Sequence, residues 1–71
     1  MKYYVLDGLI NGRAIREKTF MSRAAAERAL GDLLCKEDLQ VQDDRFPQKH
    51  TEEFVCDQYT RFFVRRVLIC D

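Results

Sequence analysis

Tyr3-Tyr4-Val5-Leu6-Asp7-Gly8-Leu9-Ile10-Asn11-Gly12-Arg13 is the stretch that decides the fold. Aromatic and aliphatic residues of high strand propensity run from Tyr3 to Ile10 and stop at Asn11-Gly12. That dipeptide accepts positive φ at both centres of a type I′ turn, so the stretch reads as the first arm and loop of a β-hairpin. With Asn11 and Gly12 as the loop, Ile10 faces Arg13, Gly8 faces Ile15, Asp7 faces Arg16 and Val5 faces Lys18. The second arm is expected from Arg13 to Phe20.

Beyond that arm, Ser22 is placed to cap a helix by accepting a bond from an otherwise unpaired N–H. The run Ala24-Ala25-Ala26-Glu27-Arg28-Ala29-Leu30 behind it is strongly helix-forming. The spacing predicts a helix over Arg23 to Lys36. Ala26, Ala29, Leu30, Leu33 and Leu34 recur at three- and four-residue intervals and form one apolar stripe. Gly31 interrupts the pattern, which implies either a close backbone neighbour or an early end to the helix.

From Glu37 to Lys49 the periodicity fades, with Leu39 and Val41 as a short extended piece and Phe46-Pro47 holding the chain out of helix. This segment reads as a long connection. Thr51 to Cys56 and Arg61 to Ile69 then form a second hairpin around Asp57-Gln58-Tyr59-Thr60. Its ladder sets Cys56 against Arg61, Val55 against Phe62, Phe54 against Phe63, Glu53 against Val64 and Glu52 against Arg65. The order β-β-α-β-β is that of an α+β fold, an antiparallel sheet of two hairpins with one amphipathic helix packed on one face.

The chain of 71 residues is expected to be a single small domain, residues 1–71. At this length folding buries only about 60% of the unfolded surface, which disfavours a deep catalytic cleft. Twelve basic and twelve acidic residues leave no net charge, so no global field attracts nucleic acid or an anionic bilayer. The balance is uneven along the chain: residues 1–36 sum to about +3, residues 37–57 to about −5 and residues 58–71 to about +2. Three cysteines match no disulfide framework, and the first charges arrive too early for a signal core or a membrane span. The expectation is a cytoplasmic protein with no membrane partner. No motif is specific enough to name a family, and the small size is that of bacterial or phage accessory proteins.

Alternation along the last strand points Phe62, Val64, Leu68 and Cys70 one way with Arg66, and Phe63, Val67 and Ile69 the other way with Arg61 and Arg65. The first strand repeats this, with Tyr4, Leu6 and Ile10 on one face and Tyr3, Val5 and Leu9 on the other. A single helix covers one sheet face only. The second face is then covered either by the 37–49 connection, through Leu39, Val41 and Phe46, or by a partner. The partner reading makes Phe54, Phe63, Arg61, Arg65, Val67 and Ile69 an interaction surface, since aromatics and Arg are enriched at such sites. Its function is a non-catalytic protein-binding or self-associating module, with a homodimer as one form.

Other chemistries fit less well. His50, Cys35, Cys56 and Cys70 are the soft metal ligands, but none are paired at the two- to four-residue spacing of structural zinc sites. Cys56 and His50 lie six residues apart on one expected strand, about 20 Å at ~3.3 Å per residue, too far for an acid–base pair. Glu37-Asp38, Asp43-Asp44 and Glu52-Glu53 read as solvated acidic pairs, because neighbours on extended chain point apart. Gly8, Gly12 and Gly31 form no phosphate loop. Catalytic residues, cofactors and metals are therefore not assigned. A weak nucleic-acid binder is the alternative: Tyr3, Phe20 and Phe63 interleave with Arg16, Lys18, Arg61 and Arg65 as in a stacking platform. Pairing of Asp7 with Arg16 and of Glu52 with Arg65 would neutralise that patch.

Overall fold

The computed structural model describes residues 1–69, so the expected position of Cys70 on the side of Phe62 and Val64 lies outside the described residues. Among these, six strands and one helix occur in the order β1 (Lys2–Ile10), β2 (Arg13–Ala14), β3 (Lys18–Phe20), α1 (Arg23–Lys36), β4 (Asp43–Gln48), β5 (Thr51–Asp57) and β6 (Thr60–Leu68). They build one antiparallel sheet in the order β2-β1-β6-β5-β4, with β3 also paired to β1. The helix packs on one face, as the α+β reading expects. Arg23–Lys36 matches the predicted helix, and the Ser22 hydroxyl accepts from the Ala25 N–H at 3.1 Å. Nothing crowds Gly31, and the helix runs past it without fraying. At its C-terminal end Leu39 N–H donates to the Leu34 carbonyl at 2.8 Å, while Asp38 takes a positive φ of 55°.

Both hairpins form, and each carries one residue more than a regular ladder. In the first, Ile10 faces Arg13 as expected, and Ile15 N–H donates to the Gly8 carbonyl at 3.0 Å. The second arm then breaks. When pairing resumes, Leu6 faces Lys18, Val5 faces Thr19 and Tyr4 faces Phe20, so the expected Asp7–Arg16 and Val5–Lys18 pairs do not form. The extra residue is a bulge in the edge strand. It lies opposite Gly8, whose φ of 150° only glycine adopts readily.

In the second hairpin Asp57 faces Thr60 across Gln58-Tyr59, and the register then slips at Cys56. Val55 faces Arg61, Phe54 faces Phe62, Glu53 faces Phe63, Glu52 faces Val64 and Thr51 faces Arg65. Every expected pair from Cys56 to Glu52 is thereby displaced by one residue, which exchanges the two faces of β5. The physical gain is burial: the slip puts Phe54 and Cys56, instead of Val55, beside the core.

That core consists of Leu6, Ala26, Leu30, Cys56, Phe62 and Val64, all between the sheet and the helix. Leu39 and Val41 also pack against it. They do not fold over the second sheet face, and the 37–49 segment is not a plain connection. Its second half is β4, which pairs with β5 at Asp43–Val55, Asp44–Phe54 and Arg45–Glu53. All six residues of β4 are exposed, and its charges and Pro47 suit an edge that resists further strand pairing. The two tight turns are tied together at one end of the sheet, where Asn11 N–H donates to Thr60 Oγ1 at 3.0 Å and Gly12 N–H to the Tyr59 carbonyl at 2.8 Å.

Candidate functional site

On the sheet face away from the helix, β1 and β6 contribute the cross-strand pairs Tyr3–Val67, Val5–Arg65, Asp7–Phe63 and Leu9–Arg61. Strand β5 adds Thr51 and Glu53, which face Arg65 and Phe63. No helix or strand of the described residues packs over this face. A groove of about 440 Å³ crosses it, lined by Leu9, Pro47 and Phe63 together with Asp7, Thr51 and Arg65. Alternation on β6, a nine-residue strand, therefore brings Arg61, Phe63, Arg65 and Val67 together as the sequence implies. Phe54 is not with them: it sits opposite Phe62, half-buried against the helix-side core. Ile69 lies beyond the end of β6, 44% exposed, with its N–H donating to the Met1 carbonyl at 2.8 Å.

The arginines on this face are already engaged. Arg65 Nη2 donates to Asp7 Oδ2 at 2.7 Å and approaches Glu17 Oε2 at 3.5 Å. Arg61 Nη1 donates to Glu53 Oε2 at 3.1 Å. Glu53 is nearly inaccessible, as are Thr51 and Val5 on the same face. The partners differ from those the sequence implied, since Glu52 belongs to the helix side and pairs with Arg23. Glu52 and Glu53 are thus buried and ion-paired, and the expectation of a solvated acidic pair fails for them. Burial, then a hydrogen bond with Asp44, raises the Glu52 carboxyl above its ordinary value against the opposing Arg23 charge.

The aromatic platform of the nucleic-acid reading is split by the same registers. Tyr3 and Phe63 stand on the open face, but Phe20 faces Tyr4 in the ladder and packs on the helix side. His50 lies in the β4–β5 turn and Cys56 at the other end of β5, so the two are apart. Burial and then the neighbouring Asp57 push the Cys56 thiol up. Among the described residues, no group of three or more His, Cys, Asp and Glu lies close enough to hold a metal ion, and no helix is long and apolar enough to cross a membrane. Alternation along the first strand already set Leu9 with Tyr3 and Val5; sequence reasoning missed Pro47, which joins the groove only once β4 is a strand.

No family model matches the chain, and neither the curated proteins nor the solved structures contain a match to it. Its own geometry carries the functional reading.

Proposed function

We propose that this chain is a non-catalytic protein-binding module that uses its helix-free sheet face, and that the partner is a second copy of itself. The observation that carries the reading is the groove across that face, with Leu9, Pro47 and Phe63 in its walls, while the helix packs on the other side of the sheet. Two features favour a second copy. The chain has no net charge, so copies do not repel at long range. The face also carries both signs, Arg61 and Arg65 beside Asp7, Glu17 and Glu53, which suits the self-complementary contact of a two-fold dimer.

The size of the face sets the expected strength. Five strand positions ~4.8 Å apart and nine residues at ~3.3 Å give a face of roughly 20 by 30 Å, or about 600 Å² per copy. Standard interfaces bury about 800 Å² per partner, so the dimer is weak. Phe63 is its anchor. Among the described residues the cysteines are free, Cys35 exposed and Cys56 buried, which suits a reducing, cytoplasmic setting.

Sedimentation velocity over a loading range of about 10 μM to 1 mM tests this reading, with association expected toward the upper end of that range. Phe63→Ala should abolish the association while far-UV circular dichroism stays native. A protein that remains monomeric throughout the range overturns it. Nucleic-acid binding on the same face is disfavoured because both arginines already donate to carboxylates. Such binding would show itself as affinity lost between low and physiological salt and weakened by Arg61→Ala with Arg65→Ala.

A further inference from the structure

A second cavity lies on the opposite side of the sheet, between the start of α1 and the β4–β5 turn. Its volume is about 260 Å³, and Tyr4, Arg23, Phe46, His50, Glu52 and Arg66 are among its walls. The arginines here are unequally satisfied. Arg23 donates to Glu27 and pairs with Glu52. Arg66 has no carboxylate partner among the described residues; its Nε, like that of Arg65 on the other face, is buried without an acceptor. Its side-chain neighbour is His50, whose ring nitrogens lie 2.6 and 3.0 Å from Arg66 Nη2.

A nitrogen that near to both ring nitrogens sits over the imidazole face and not along one lone pair. The contact therefore holds the guanidinium in place without supplying the in-plane acceptors that it is built to grip. The backbone fixes the same arrangement, because Arg66 N–H donates to the His50 carbonyl at 2.9 Å. Desolvation, and then the Arg66 and Lys49 charges, hold the His50 imidazole below its ordinary value, which favours a neutral ring stacked under a cation. Phe46 stands at the rim with 70% of its surface exposed, an apolar ring that the sheet does not use.

From a guanidinium that lines this cavity without a carboxylate partner among the described residues, beside an exposed aromatic rim, we infer that the cavity binds the oxyanion group of a small ligand. Arg66 grips the anion, Phe46 and Tyr4 flank the ligand body, and Glu52, held by Arg23, closes the inner wall against deeper entry of negative charge. The cavity is below the ~300 Å³ at which sites for drug-sized ligands begin. It has room for a single-ring carboxylate or an isolated phosphate.

The test is an NMR titration of the full-length ¹⁵N-labelled protein with sodium benzoate and, separately, sodium phosphate, at constant ionic strength against sodium chloride. The sequence contains one histidine, so the imidazole signals report His50 without ambiguity. Saturable shifts at His50 and at the Arg66 Nε–H are expected with benzoate or phosphate and not with chloride. The tighter of the two names the source of the oxyanion. Arg66→Gln should remove saturation, and Phe46→Ala, at an exposed position with no folding cost, should weaken benzoate several-fold and leave phosphate unchanged. Linear shifts in every salt, or saturation that survives Arg66→Gln in a folded protein, overturn the site. Because Phe63 lines the groove and not the cavity, Phe63→Ala leaves this titration intact whatever its effect on association.

Discussion

Replacing Gly8 by alanine is the most direct perturbation of the geometry that sets both faces. At its φ of 150°, an added Cβ would lie 2.2 Å from the Arg61 carbonyl oxygen and 2.8 Å from the Phe62 Cα. Both obstacles are backbone atoms of β6, so no side-chain rotation relieves them. The unfavourable backbone conformation costs about 1–3 kcal/mol, and forcing atoms into a filled space costs about 1–3 kcal/mol more. Against a total stability of roughly 4–10 kcal/mol for a chain of this length, Gly8→Ala should remove about half or more. The other two glycines calibrate the measurement. Gly12 has a φ of 81° with open space around its Cβ position, so alanine there costs about 1–2 kcal/mol from the backbone alone. Gly31 is helical and equally uncrowded, so Gly31→Ala should stabilise by about 1 kcal/mol. Urea unfolding followed by far-UV circular dichroism reads all three variants on one scale. A Gly8→Ala protein within about 1 kcal/mol of wild type would refute the close approach of β1 and β6.

Two further outcomes follow from the turns and from the buried carboxylate. Thr60 is fully buried and its hydroxyl accepts from Asn11 N–H; Thr60→Val keeps the shape but orphans that donor, and should lower stability by about 1–2 kcal/mol, or about 5–10 °C in Tm by differential scanning calorimetry. Glu52 has a raised carboxyl, chiefly through burial. The folded state therefore holds that proton longer than the unfolded state does. Its stabilising effect is complete below the ordinary carboxylate range and is lost as pH climbs through the raised value. Glu52→Gln removes the titration, so the Tm of the variant relative to wild type should rise from pH 4 to pH 8; a difference that stays flat or falls would show that the Arg23 pair outweighs desolvation.

What was legible in the sequence is what local chemistry decides. Asn11-Gly12 announced the first turn, Ser22 and the alanine run set the helix, and the alternation of β6 placed Arg61, Phe63, Arg65 and Val67 on one face. Strand β4 was not legible, since Asp43, Asp44 and Pro47 are poor strand formers and their pairing depends on the free edge of β5. Nor were the two slips in register. A bulge leaves no mark in composition: Cys56 is buried and Gly8 is twisted because of what lies across the sheet, and neither reason is local.

These two slips, one residue each, determine what the helix-free face can do. With a regular second hairpin, Phe54 and Glu52 would stand on that face beside Phe63 and Arg65, giving two aromatic anchors and an ion pair closed within one hairpin. The slip at Cys56 sends Phe54 to the core and Glu52 to Arg23, leaving Glu53 to hold Arg61. Arg65 must then be neutralised from elsewhere, and the slip opposite Gly8 leaves Asp7 without its expected Arg16 partner across the first hairpin. Asp7 turns to Arg65 across the β1–β6 seam. The charge balance of the face is thus set by pairing between the two hairpins, residues 58 apart in sequence, and it exists only once the whole sheet has closed. The same seam leaves Arg66, the next residue along β6 and on the other face, without a carboxylate partner among the described residues, since Glu52 is held by Arg23. The neutrality of one face and the unmet charge of the other are two results of one registration.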